Sequence, residues 1–174
     1  MSVLASAPPD FAFIDGMHRF EFALRDFMNI ERHAHAATLV VVDDIFPCHP
    51  RQAERTRQTR VWTGDVWKLA QCLREVRPDL LLVGLDTAPT GLLLIAGLDR
   101  DNRVLWDNYN PFVRRYRQLP EPPAAVLSRS GAVSPFDPVV DALAVALRRA
   151  RDSGATHAAL AATLHAFRTA RSPA

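Results

Sequence analysis

The chain has 174 residues, 48% of them hydrophobic and 23% charged, with a formal net charge of +2. That is the make-up of an ordinary globular protein of one domain or slightly more, and the charge is too small to argue for a nucleic-acid partner. Cys48 and Cys72 stand far apart with no C-x-x-C motif, which gives no disulfide framework and fits a reducing cytoplasm.

Residues 1–9 are small and proline-bearing and read as an irregular lead-in. No basic region precedes an apolar core there, so the start is not a signal peptide. Phe11 to Ile14 is a short apolar run that stops on Asp15. Leu39 to Val42 is a second, and it stops on Asp43 and Asp44. Runs of this length, rich in β-branched and aromatic residues, read as buried strands of a parallel sheet. Between them, Met17 to Arg32 has helical period, with Phe20, Ala23, Leu24, Phe27 and Met28 on one side. Strand, helix and strand make two parallel strands joined by a right-handed crossover.

Ile45 to Pro50 is a loop fixed by two prolines. Arg51 to Arg60 is arginine-rich, either a solvated helix or a lid. Thr63-Gly64-Asp65 looks like a helix start, with Val66, Leu69, Ala70, Cys72 and Leu73 on the apolar side, and the helix ends before Pro78. Asp79 to Asp86 is a third buried strand. Thr87 to Gly91 is turn chemistry. Leu92 to Leu98 is a fourth strand, joined by so short a turn that it is antiparallel to the third. Apolar runs such as Leu80 to Leu85 fall far short of the ~20 residues of a membrane helix.

After Asp99 the character changes. Val104 to Arg117 reads as a helix interrupted at Pro111. Residues 119–135, rich in proline, serine and glycine, read as a linker. Phe136 to Arg151 and Thr156 to Arg171 form two alanine-rich amphipathic helices, packed on the sheet or on a partner. The expected organisation is an α/β unit over 1–118, a linker over 119–135 and a helical hairpin over 136–172.

If the first two strands are neighbours, Asp15, Asp43 and Asp44 meet at their carboxyl ends, the edge where open α/β sheets bind ligands. Three carboxylates at one spot repel unless a cation sits between them, and oxygen ligands suit Mg²⁺ or a similar hard ion. The bland alternative is that Asp43 or Asp44 caps the next segment and Asp15 makes a turn with Gly16.

Phe-Ile-Asp-Gly-x-His-x-aromatic-Glu followed by an Arg-Asp pair, here Phe13 to Asp26, resembles class I S-adenosylmethionine-dependent methyltransferases, the macrocin-type sugar O-methyltransferases above all. Val41-Val42-Asp43-Asp44 resembles their next strand end, and Asp79 to Leu98 their closing antiparallel hairpin. The resemblance spans residues 9–100. It implies a partial Rossmann-like sheet, mostly parallel with a final antiparallel hairpin. It implies Mg²⁺ held by Asp15, Asp43 and Asp44, and an acceptor hydroxyl on a small molecule or sugar whose pKa the metal lowers. Many relatives place a second acid two residues after the first as the base. Here that residue is Met17, and His18 is the nearest replacement, with a pKa suited to a base; the competing reading is that His18 caps the helix or packs under a loop.

The resemblance covers the second half of such a fold. The first half opens with a strand, a glycine-rich turn and a helix that admit the cofactor. This chain has seven glycines and no G-x-G cluster, so S-adenosylmethionine is expected to bind weakly or not at all. The Phe11 strand is then expected to present an unguarded apolar edge that takes a second copy or a separate chain.

Three other readings fit parts of the chain. Val40 to Asp44 with Pro78 to Asp86 resembles a phosphate-accepting receiver domain, but the sole lysine, Lys68, lies before Asp86 rather than after it. Cys48-His49 beside the acids raises zinc, without the usual ligand spacing. A methyltransferase-like remnant could serve as a non-catalytic interaction module. The leading expectation is a cytoplasmic, Mg²⁺-assisted O-methyltransferase-like protein with no membrane or nucleic-acid partner.

Overall fold

The computed structural model describes residues 7–169. Four strands, β1 (Phe11–Ile14), β2 (Leu39–Asp43), β3 (Leu81–Leu85) and β4 (Leu92–Ala96), form one sheet in the order β1-β2-β4-β3. The helices are α1 (Phe20–His33), α2 (Trp67–Val76), α3 (Val104–Asp107), α4 (Tyr109–Arg117), α5 (Ala124–Leu127), α6 (Pro138–Asp152) and α7 (His157–Thr169).

β1 and β2 run parallel, with Phe11 opposite Leu39 and Ile14 opposite Val42. β4 is antiparallel to both β2 and β3. β1, β2 and β3 therefore run in one direction and β4 runs against them, so the sheet is mixed, with one hydrogen-bonded parallel pair and the expected closing antiparallel hairpin. The cause is local. The Thr87–Gly91 turn closes with Gly91 N–H on Thr87 O at 2.8 Å and reverses the chain, and the returning strand enters between β2 and β3. Gly91 has φ +66°, and a Cβ there would lie 2.3 Å from the Phe46 ring. Only glycine fits that corner.

The period of two along β2 sends Val40 and Val42 to one face and Val41 to the other. On the first face they meet Phe20, Leu24, Phe27 and Met28 of α1 together with Leu69 and Leu73 of α2. Each fully buried large side chain in that stripe contributes about 1.5–3 kcal/mol relative to exposure. On the second face Val41, Leu81, Val83 and Leu94 meet Leu143 and Leu147 of α6 and Leu160 and Leu164 of α7. The C-terminal helices thus cover the sheet of their own chain. Among the described residues β1 pairs only with β2, and Phe11 and Phe13 remain 58% and 50% exposed beyond the cover of α6 and α7.

Several boundaries move for identifiable reasons. α1 starts at Phe20 rather than Met17, because His18 adopts φ +50°, a conformation outside the right-handed helix. The break between α3 and α4 falls at Asn108, ahead of Pro111, which sits in the first turn of α4, where its missing N–H costs nothing. Arg51 to Arg60 is a single 3-10 turn, Pro50–Ala53, followed by loop. Residues 119–135 hold α5 and, at Val133, a parallel bridge to Leu85. Residues 1–6 of the expected lead-in and 170–172 of the expected helical hairpin lie outside the described residues.

Candidate metal centre

The parallel register sets the site. Ile14 lies opposite Val42, so Asp15, just past the end of β1, stands beside Asp43, the last residue of β2 and partner of Leu92, with Asp44 one step on. Asp44 turns at φ +62° and His18 at φ +50°. The second turn folds the imidazole back over the strand ends. His18 Nε2 lies 3.3 Å from Asp15 Oδ1, and His18 Nδ1 lies 3.0 Å from Asp44 Oδ2. One ligand atom from each of the three falls within 4.8 Å of the others. Asp44 is buried and Asp15 is exposed, so the cluster opens at the Asp15 side.

The loop before α2 forms the back wall. Trp62 stacks on the His18 ring, with centroids 5.2 Å apart and planes 20° off parallel. The Trp62 carbonyl lies 2.7 Å from Nδ1. A carbonyl can only accept, so this contact puts a proton on Nδ1. Gly64 then passes so close that a Cβ on it would sit 1.7 Å from His18 O. Asp65 follows. Its N–H donates to His18 O at 3.2 Å, and its Oδ1 accepts the orphan N–H of Phe20 at 2.8 Å. Asp65 therefore caps α1 from 45 residues away through its carboxylate, while its carbonyl accepts the Lys68 N–H at 3.2 Å in the turn that leads into α2. A network holds Asp65 in place. Arg55 donates to Asp65 Oδ2 at 2.6 Å and to Glu21 Oε1 at 2.5 Å, and Lys68 Nζ reaches Asp65 Oδ2 at 3.1 Å.

With the proton on Nδ1, a neutral ring turns its Nε2 lone pair toward the Asp15 carboxylate. Lone pair against carboxylate at that distance is repulsive. The contact becomes favourable only with positive charge between or on the groups, supplied by a proton on Nε2 or by a cation. Burial pushes the Asp44 carboxyl above its ordinary value, and the charges of Asp43 and Asp15 add to that rise. Two carboxylates and an imidazole are donors that a divalent first-row ion accepts, and imidazole moves the preference away from Mg²⁺ and toward Mn²⁺, Fe²⁺ or Zn²⁺.

Asp15, Asp44 and His18 thus come together. Asp43 lines the same cleft, with its Oδ1 accepting from Asp44 N–H at 2.7 Å and lying 3.4 Å from Thr90 Oγ1. It lies outside the three-group cluster. Cys48 and His49 lie outside it too. Cys48 Sγ meets Arg129 at 3.4 Å, and the His49 ring caps the 3-10 turn by accepting from Arg51 N–H. Sequence reasoning missed Trp62 and Gly64 as parts of the site; the Thr-Gly-Asp triplet was the available signal, and its acid serves a helix distant in sequence.

No helix of the described residues is long and apolar enough to cross a membrane. No protein-family model, no curated protein and no solved structure matches the chain.

Proposed function

We propose that the chain holds a divalent cation between Asp15, His18 and Asp44. The cation site binds and activates a hydroxyl of a small-molecule or sugar acceptor, in the manner of the macrocin-type O-methyltransferases it resembles. The observation that carries this reading is the convergence of two carboxylates and an imidazole at the carboxyl ends of the parallel pair. The antiparallel β3–β4 hairpin agrees with the closing strands of that family's sheet.

A cation bound there supplies Lewis acidity that lowers the pKa of an acceptor hydroxyl. The chain's own residues do the positioning. Trp62 sets the plane of the His18 ring and holds the proton on Nδ1, which leaves Nε2 as the ligand nitrogen. Asp43 holds the Asp44 peptide through its N–H. Asp15, the exposed ligand, stands where an acceptor would enter. No glycine-rich strand-to-helix turn of the kind that admits S-adenosylmethionine occurs among the described residues.

Calorimetric titration with Mn²⁺, and with Mg²⁺ for comparison, tests the site. One Mn²⁺ per chain is expected, with Mg²⁺ weaker. Asp15→Asn and His18→Gln should each weaken Mn²⁺ at least tenfold. A parent chain that takes up no ion, or a His18→Gln chain that binds as well as the parent, would sink the assignment.

The exposed Phe11 and Phe13 on an edge strand favour a second reading, a non-catalytic module that takes a second copy or a separate chain at Phe11–Ile14. Size-exclusion chromatography with light scattering separates the two. A stable monomer that binds Mn²⁺ leaves only the first reading.

A further inference from the structure

The sheet has a second open edge, on β3. Only its upper end is covered among the described residues. Val133 N–H donates to Gly84 O at 2.9 Å, and Asp86 N–H donates to Val133 O at 2.7 Å. In a strand, the N–H and C=O of one residue point to the same side, and successive residues alternate. Gly84 O therefore identifies the outward set. Leu82 N–H, Leu82 C=O and Gly84 N–H face away from β4, with no partner among the described residues.

A groove of about 500 Å³ runs along this edge, within the size range of ligand sites. Leu80, Leu82, Phe46 and Val126 give it apolar walls, and Arg74, Arg77 and Arg168 line it as well. These three arginines are not equivalent. Arg77 is neutralised by Glu31 at 2.8 Å and Asp79 at 2.7 Å. Arg168 Nη1 donates only to the carbonyls of Pro78 at 2.7 Å and Asp79 at 2.9 Å, at the lower end of β3. Its Nε–H is buried, and its Nη2 makes no hydrogen bond among the described residues. Arg74 is exposed and has neither an acidic nor a carbonyl partner among them. The groove thus gathers three guanidinium groups against two carboxylates.

We propose that this groove docks an extended peptide ending in a carboxylate, paired antiparallel with Leu80–Gly84 and aimed at Arg74 and Arg168. Antiparallel pairing carries the peptide's carboxyl end to the lower end of β3, where Arg168 is anchored. The five residues Leu80–Gly84 span about 13 Å from first to last, enough for three or four peptide residues. The outward N–H and C=O groups would join a two-stranded ladder, the mode of recognition in which main-chain bonds give affinity and side-chain pockets give selectivity. A simple alkyl acid would use the arginines and leave that ladder unpaired.

The test uses the whole chain and an N-terminally labelled trivaline with a free carboxyl terminus, compared with its carboxamide. Fluorescence anisotropy should show the acid binding at least tenfold more tightly, the scale of one lost charge-assisted hydrogen bond. Arg74→Ala and Arg168→Ala should each erase most of that difference. In the parent chain the acid peptide should slow amide hydrogen exchange at Leu82 and Gly84. Equal binding of acid and amide would overturn the proposal, as would unchanged exchange at those two amides. Decanoate that binds as well as the peptide and leaves Leu82 exchange unchanged would also overturn it, reassigning the groove to small acids.

Discussion

Two charged clusters flank this sheet, and they are balanced in opposite ways. Beneath α1, Arg77 is 1% exposed and meets the carboxylates of Glu31 and Asp79 through four hydrogen bonds of 2.7–3.1 Å. Glu31 also accepts the N–H of Asp99 at 3.3 Å. Each charge there has a fixed partner of opposite sign. At the carboxyl ends of β1 and β2, Asp15 and Asp44 flank one imidazole, Asp43 lines the same cleft, and no arginine or lysine meets the three acids among the described residues. The first arrangement is closed by the chain itself and ties α1 to β3. The second is left short of positive charge at a cleft mouth, which costs stability and creates room for a ligand.

The largest effect should come from opening the closed cluster. Arg77→Met strands Glu31 as a buried, uncompensated charge, and removing one partner of such a pair costs about 3–5 kcal/mol. Urea unfolding should show that loss. The double variant Glu31→Gln, Arg77→Met should recover part of it, because the stranded charge is gone. If the single and double variants unfold alike, the pair is not what fixes α1.

Next in size is the backbone that shapes the open cluster. Gly64 has φ +55°, and a Cβ would sit 1.7 Å from His18 O. Gly64→Ala is expected to destabilise the fold by at least the 1–3 kcal/mol of a strained backbone position. It should also move His18 off Trp62, visible as a change in Trp62 fluorescence. Unchanged stability together with unchanged fluorescence would mean the loop yields easily and does not position the ring.

Much of this arrangement was legible in the sequence. Apolar runs ending on Asp15 and on Asp43-Asp44 mark strand ends, and the stretch between them has helical period, so the parallel pair and its acidic edge follow from short-range pattern. The short Thr87–Gly91 turn implies the hairpin. Sheet order was not legible, because the entry of β4 between β2 and β3 depends on contacts distant in sequence. Asp65 shows the same limit. Beside Thr63 and Gly64 it reads as a local helix start, yet its carboxylate caps α1 and is held by Arg55 and Lys68. The positive φ of His18, which turns the ring onto the acids, has no signature in a Met-His-Arg triplet.

A smaller effect, and one of opposite sign for stability and binding, is expected at Asp44. Its carboxyl is raised in the folded chain, chiefly by burial. A raised folded value means the stabilising form is the protonated one. That contribution is present below the ordinary carboxylate range and is lost as pH rises through the folded value. Asp44→Asn keeps the shape and suits φ +62°, since asparagine tolerates the left-handed region. With chelator present the variant should unfold at higher urea than the parent at pH 7, and the gap should close toward pH 4. The same change should weaken Mn²⁺ at least tenfold, about 1.4 kcal/mol. A variant that is less stable than the parent at pH 7 would show that the Asp44 contact with His18 outweighs its burial.

The smallest effect is expected at Asp43, and it separates a shared acidic edge from a defined three-residue centre. Asp43 Oδ1 accepts from Asp44 N–H and lies 3.4 Å from Thr90 Oγ1. An asparagine carbonyl can accept both contacts, so Asp43→Asn should keep the Asp44 turn and the fold. What it removes is one negative charge at the rim of the cleft. Across roughly 6–8 Å of well-hydrated rim, with salt screening, a unit charge contributes about 1 kcal/mol to the binding of a divalent cation. Mn²⁺ affinity should therefore fall only a few-fold, and the loss should shrink as salt is raised from 0.05 to about 0.5 M, where screening reaches within a few ångströms. The loss at Asp44→Asn should persist at high salt, because it removes a ligand atom and not only a field. If Asp43→Asn weakens the ion as much as Asp44→Asn does, and equally at both salt concentrations, Asp43 is itself a ligand and the centre is built from three carboxylates.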